Sequence, residues 1–223
     1  MNPVEVLQFV GLPVLIATGI VLLSWHFFSS KRIQPLGVII AVGVSSIVAF
    51  ALQEGLPSVP PTQKWHWLVL TVLIVCLLAC LYTLFRAWDK LIVLQAIIAG
   101  IIAAVLLQFP GQSDVSYRVS ILFLVLFVSV GLRRLTIPPW HMYIAAWSAL
   151  AGLSILALQA SFAKLAFFAG AMSAVAAAMF VLQCVKPRET KSVQVLFGVL
   201  IVGCAVCGVA YDPSHVVPLL AWY

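Results

Sequence analysis

The 223 residues are 64% hydrophobic and only 8% charged, with a mean hydropathy of +1.18 and a formal net charge of +6. A soluble domain carries roughly 25% charged residues, so water is excluded as the main solvent of this chain. Nucleic acid is not an expected partner either, because the Lys and Arg residues fall in short links between apolar runs and form no dense basic face with interleaved aromatics.

The apolar runs recur along the whole length, and roughly 20 such residues cross a hydrocarbon layer of about 30 Å. They are continuously apolar rather than alternating, which specifies helices over barrel strands. The expected fold is therefore all-α: a polytopic integral membrane helix bundle of about eight transmembrane helices, one transmembrane domain over residues 1–223 with no soluble domain. The first run, Val6–Phe28, has no positive segment before it and no small-residue cleavage pattern before Lys31 and Arg32, so it reads as a retained span. The spans that follow are Ile33–Leu52, Trp65–Phe85, Leu91–Gln108, Val115–Leu132, Trp140–Leu158, Leu165–Val185 and Val193–Tyr211. Residues 212–223 are too few to cross again and read as an interfacial tail on the exterior.

The links alternate in charge. One set holds Lys31, Arg32, Arg86, Lys90, Arg133, Arg134, Lys186, Arg188 and Lys191, nine residues, while the other holds only Lys64, Arg118 and Lys164. The positive-inside rule makes the first set cytoplasmic and both termini exterior, in a membrane of the bacterial cytoplasmic type. Trp25, Trp65, Trp67, Trp88, Trp140 and Trp222 all fall at expected helix ends, where amphipathic rings favour the headgroup level; Trp147 alone lies inside a span.

No Lys, Arg, Asp or Glu falls in the middle of a span, so the sequence offers no proton relay or buried carboxylate cage. His26 and His141 lie near one surface and His66 and His215 near the other, the distribution that two bis-histidine haems require. Three of the four adjoin Trp, however, and the plainer reading is a set of interfacial rings. Cys204 and Cys207 form a C-x-x-C in the outward half of the last span, the spacing of a membrane thiol–disulfide relay. Their flanks, Gly203, Ala205, Val206 and Gly208, carry no cation to favour a thiolate, and buried free cysteine behaves as a small hydrophobe. Cys76 and Cys80 share one face of the third span. No cofactor or metal is expected, and no hydrolase motif is present.

Small residues mark close packing. Ala166, Gly170, Ala174 and Ala178 recur every four residues, beside Ala169, Ser173 and Ala177, and Ser148 and Gly152 extend the pattern into the sixth span. These two spans are expected at the centre. Polar residues within spans, among them Ser45, Ser46, Gln95, Ser148 and Ser173, are expected to hydrogen-bond between helices. Pro60-Pro61 before Trp65-His66 and Pro138-Pro139 before Trp140-His141 offer an inverted-repeat reading, or simply two helix starts.

Three functional readings follow. The first is a non-catalytic membrane subunit or scaffold that packs against the lipid bilayer and other membrane protein subunits, or against itself. The second is a small permease or lipid-handling protein for a neutral or apolar solute. The third is a membrane redox protein using Cys204 and Cys207 or histidine-ligated haem.

Overall fold

A computed structural model describes residues 3–27, 34–55, 61, 65–84, 92–107, 114–134, 140–185 and 193–211. Eight main helices follow in order: α1 Leu12–Phe27, α2 Gln34–Glu54, α3 His66–Leu84, α4 Ile92–Leu106, α5 Val115–Arg134, α6 Trp140–Gln159, α7 Ala163–Val185 and α8 Val193–Tyr211. They match the expected spans to within a few residues. Seven apolar stretches, all but α4, are long enough to cross a membrane, which makes this a multi-pass membrane helix bundle. A short turn, Pro3–Val6, and a π-helical turn, Leu7–Gly11, lead into α1. Pro13 has no N–H to give the carbonyl one turn earlier, and a wider turn just before it absorbs that mismatch.

The shortest helix, α4, is nevertheless a true crossing of the bundle. Trp65 at the start of α3 lies 6.2 Å, ring to ring, from Phe162 beside the start of α7. Four helices, α3 to α6, separate these residues in the chain. An even number of crossings returns the chain to the same end, whereas an odd number would leave the two rings a helix length, about 30 Å, apart. The alternation of links read from the charges rests on this parity.

The centre is α8, and here the expectation for the sixth and seventh spans is corrected. Among the described residues α8 packs against every helix from α2 to α7, and those six contact one another in chain order, with α7 closing back onto α2. α1 lies outside this ring, against α2 and α7. Gly198, Gly203 and Gly208 give α8 its place. Five residues turn a helix by about 140° beyond a full turn, so each glycine meets a different neighbour: Ser129 of α5, Leu68 of α3 and Leu165 of α7.

α6 and α7 form a close antiparallel hairpin rather than the axis. Ser154 Oγ donates to the Ala166 carbonyl at 2.7 Å, Ser173 Oγ donates to the Trp147 carbonyl at 3.1 Å, and a Cβ on Gly170 would stand 3.2 Å from Ser154 Oγ. The stripe on α7 thus serves one neighbour. On α6 the expected extension fails: Ser148 and Gly152 are exposed, Gly152 has nothing within 4 Å, and Ser148 bonds its own Ile144 carbonyl. The α6 residues that pack inward are Met142, Tyr143, Ala146, Leu150 and Ala157. α6 ends in a Schellman turn. The Phe162 N–H reaches the Ala157 carbonyl, the Ser161 N–H reaches Leu158, and Ser161 takes the left-handed conformation at φ 59°.

Candidate functional site

Charged and aromatic side chains meet where α2 ends and α3 and α7 begin. Gly55, at φ 81°, stops α2 and leaves Glu54 as its last residue. The Schellman turn before α7 delivers Phe162 and Lys164 to the same place. Glu54 is 13% exposed and its carboxylate pairs with the Lys164 ammonium, which is 49% exposed. Beneath this pair the Phe50 ring lies 4.9 Å from both Trp65 and His66, and Trp65 lies 6.3 Å from Phe168.

Two residues depart from the interfacial role expected of them. Trp65 is fully buried and His66 is 6% exposed. Both ring nitrogens of His66 lack a hydrogen-bond partner, and Glu54 and Lys164 both act on the ring electrostatically. The rings here are structural cement first, since aromatic pairs at 4.5–7 Å add roughly 0.5–1.5 kcal/mol each beyond their burial. The carboxylate, imidazole and ammonium bring acid and base groups of three different helices together.

The other sites expected from sequence stay apart. His26 is exposed at the end of α1, and His141 is partly buried with its ring 3.8 Å from that of Trp140 at the start of α6. His215 lies outside the described residues, as do Pro60, Pro138 and Pro139 of the repeat reading and Trp88 and Trp222 of the aromatic belt. Trp147 faces outward in α6, 44% exposed. Cys204 and Cys207 are free thiols, 2% and 0% exposed, in the C-terminal half of α8. Cys76 Sγ donates to the Ile39 carbonyl at 3.3 Å, where Gly43 leaves room for it, and so joins α2 to α3. No group of three or more His, Cys, Asp or Glu comes together among the described residues.

In the sequence, Glu54, in the link that holds Lys64, and Lys164 mark only the topology. The usable signal was their shared side in the link alternation, which puts an acid and a base at one end of the bundle. Of the amides within spans only Gln95 stood out in the sequence. Gln34, Gln95, Gln183 and Gln194 are all buried, and Gln194 on α8 has neither its carbonyl nor its NH₂ paired. An unpaired buried amide costs about 1–3 kcal/mol. Ser45, by contrast, does join helices as expected, donating to the Pro13 carbonyl at 3.0 Å. No family model matches the chain, and comparison with curated proteins and with solved structures finds no match.

Proposed function

We propose that this protein is a non-catalytic membrane subunit that packs against partner membrane proteins. The observation that carries the reading is α8. A solute pathway belongs at the axis of such a bundle, and here a helix whose apolar stretch is 72% buried occupies that axis. The mid-span polar groups Ser45, Ser154 and Ser173 are spent on carbonyls of neighbouring helices. Outward, α5 presents Phe123 at 61% and Phe127 at 77% exposure, side chains large enough to anchor a neighbouring helix. The charge partition supports a cytoplasmic membrane of the bacterial type with both termini exterior.

The test is purification in native-membrane nanodiscs. The expected result is a second integral membrane protein at fixed stoichiometry, at least tenfold depleted by the Phe123→Ala, Phe127→Ala double variant. A single-chain particle that moves a neutral solute across proteoliposomes would contradict it and favour the permease reading.

A further inference from the structure

Of the three described histidines, His26 is exposed, His141 is partly buried, and His66 lies inside the bundle. The His66 ring stands edge-on to Phe50, at 4.9 Å and 88°, and to Trp65, at 5.3 Å and 75°. A neutral imidazole carries one N–H and one bare nitrogen, and neither finds a partner here. A protonated ring would bring a second N–H and a full charge into the same apolar cage, where a buried cation persists only beside an opposite charge.

The charged groups that act on the ring are Glu54 of α2 and Lys164 of α7. The other helices packed against α3 are α4 and α8. α4 has no charged or titratable side chain over residues 92–107, and α8 has only Cys204, Cys207 and Tyr211, none of which ordinarily gains a proton between pH 7.5 and 5.0. Glu54 is therefore one carboxylate with two possible cations. Lys164 holds it in the structure, but the lysine is 49% exposed and has water as an alternative partner. A protonated His66, closed in by Phe50 and Trp65, has no such alternative.

The backbone leaves both partners at helix ends. Gly55, at φ 81°, stops α2 directly after Glu54, and Ser161, at φ 59°, sets the turn into α7. Helix ends open locally at far lower cost than a core helix does. We propose that protonation of His66 draws the Glu54 carboxylate away from Lys164 and unties the end of α2 from the start of α7, a pH-sensitive latch at the end of the bundle opposite the cation-rich links. The imidazolium N–H donates to the carboxylate, and the Lys164 ammonium passes to water. α2 and α7 also carry α1, so acid loosens the seam on which the outermost helix sits. The latch needs no protein partner and so does not rest on the subunit reading.

The experiment is hydrogen–deuterium exchange of the full chain in nanodiscs at pH 7.5 and 5.0, read as protection factors so that the intrinsic pH dependence of exchange cancels. Residues 163–170 should lose protection at least fivefold at pH 5.0, while residues 193–200 stay unchanged. His66→Gln, neutral at both pH values, should keep the α7 start at its pH 7.5 protection throughout. The His26→Gln, His141→Gln double variant should retain the full response. Glu54→Gln, which removes the charge for which the two cations compete, should show low protection at both pH values, and it decides the matter should His66→Gln fail to fold. A fivefold response that persists in folded His66→Gln would assign it to protonation of Glu54 itself and overturn the latch. So would equal wild-type protection at the two pH values, or an undiminished response in Glu54→Gln.

Discussion

α1 and α8 are almost equally apolar, with hydropathies of 2.1 and 2.4 over their spans, yet 22% of one and 72% of the other is buried. The difference lies in where the small residues sit. α8 places Gly198, Gly203 and Gly208 so that successive glycines face three different helices. The α1 span presents Leu15, Leu22 and Leu23 outward at 49–70% exposure, and its Gly19 has nothing within 4 Å. Lipid tails are as apolar as leucine, so hydropathy cannot separate a helix wrapped by protein from one wrapped by lipid. Close backbone approach can.

The strongest way to break this comparison is to give both helices the same substitution. Gly198→Leu drives a side chain into Ser129, whose backbone nitrogen would lie 3.3 Å from the new Cβ. A loss of about 3 kcal/mol is expected, at the upper end for overpacking. Gly19→Leu should change stability by less than about 0.5 kcal/mol. Thermal unfolding in one detergent compares the two directly, and equal shifts would sink the assignment of α8 to the axis.

A smaller effect is expected at the helix ends. The Glu54–Lys164 pair ties α2 to α7, the two helices that carry α1. Glu54→Gln removes an ion pair half open to solvent, so the expected cost is about 0.5–1 kcal/mol, diminishing with added salt. Its distinguishing signature is local. Amide exchange should rise at the ends of α2 and α7 and stay unchanged in α8; faster exchange throughout α8 would mean that the pair holds the axis instead. Smallest is Ser161→Gly. A serine at φ 59° gives way to the residue that favours this conformation, and the gain should be up to about 1 kcal/mol. A loss in melting temperature would show that the Ser161 side chain contributes more than the turn geometry does.

Much of the fold was legible in the sequence. The last helix was expected at Val193–Tyr211 and is found there, and the sixth was expected at Trp140–Leu158 and runs to Gln159. Continuous apolar runs with charged breaks leave few other solutions. The arrangement of the helices was not legible to the same degree. The four-residue stripe on α7 is conspicuous because one face repeats, but it reports a single close neighbour. The five-residue spacing on α8 rotates from face to face, so no stripe forms, although that rotation is the mark of a helix surrounded on several sides. The candidate site was hidden by distance in the chain. Glu54, His66 and Lys164 come from three helices, and Trp65-His66 at a helix start has the same pattern whether the rings meet headgroups or Phe50 and Phe168.

The central claim is that α8 is shielded from lipid by the six helices around it while α1 is not. Photolabelling from the lipid phase with a hydrophobic carbene-generating probe, resolved peptide by peptide, tests it most directly. Labelling is expected on the α1 peptide that carries Leu15, Leu22 and Leu23, and on the α5 peptide with Phe123 and Phe127. The Val193–Leu200 peptide of α8, buried at every position, should remain unlabelled until the protein is denatured. Labelling of Val193–Leu200 in the folded protein at the level of α1 would contradict the account.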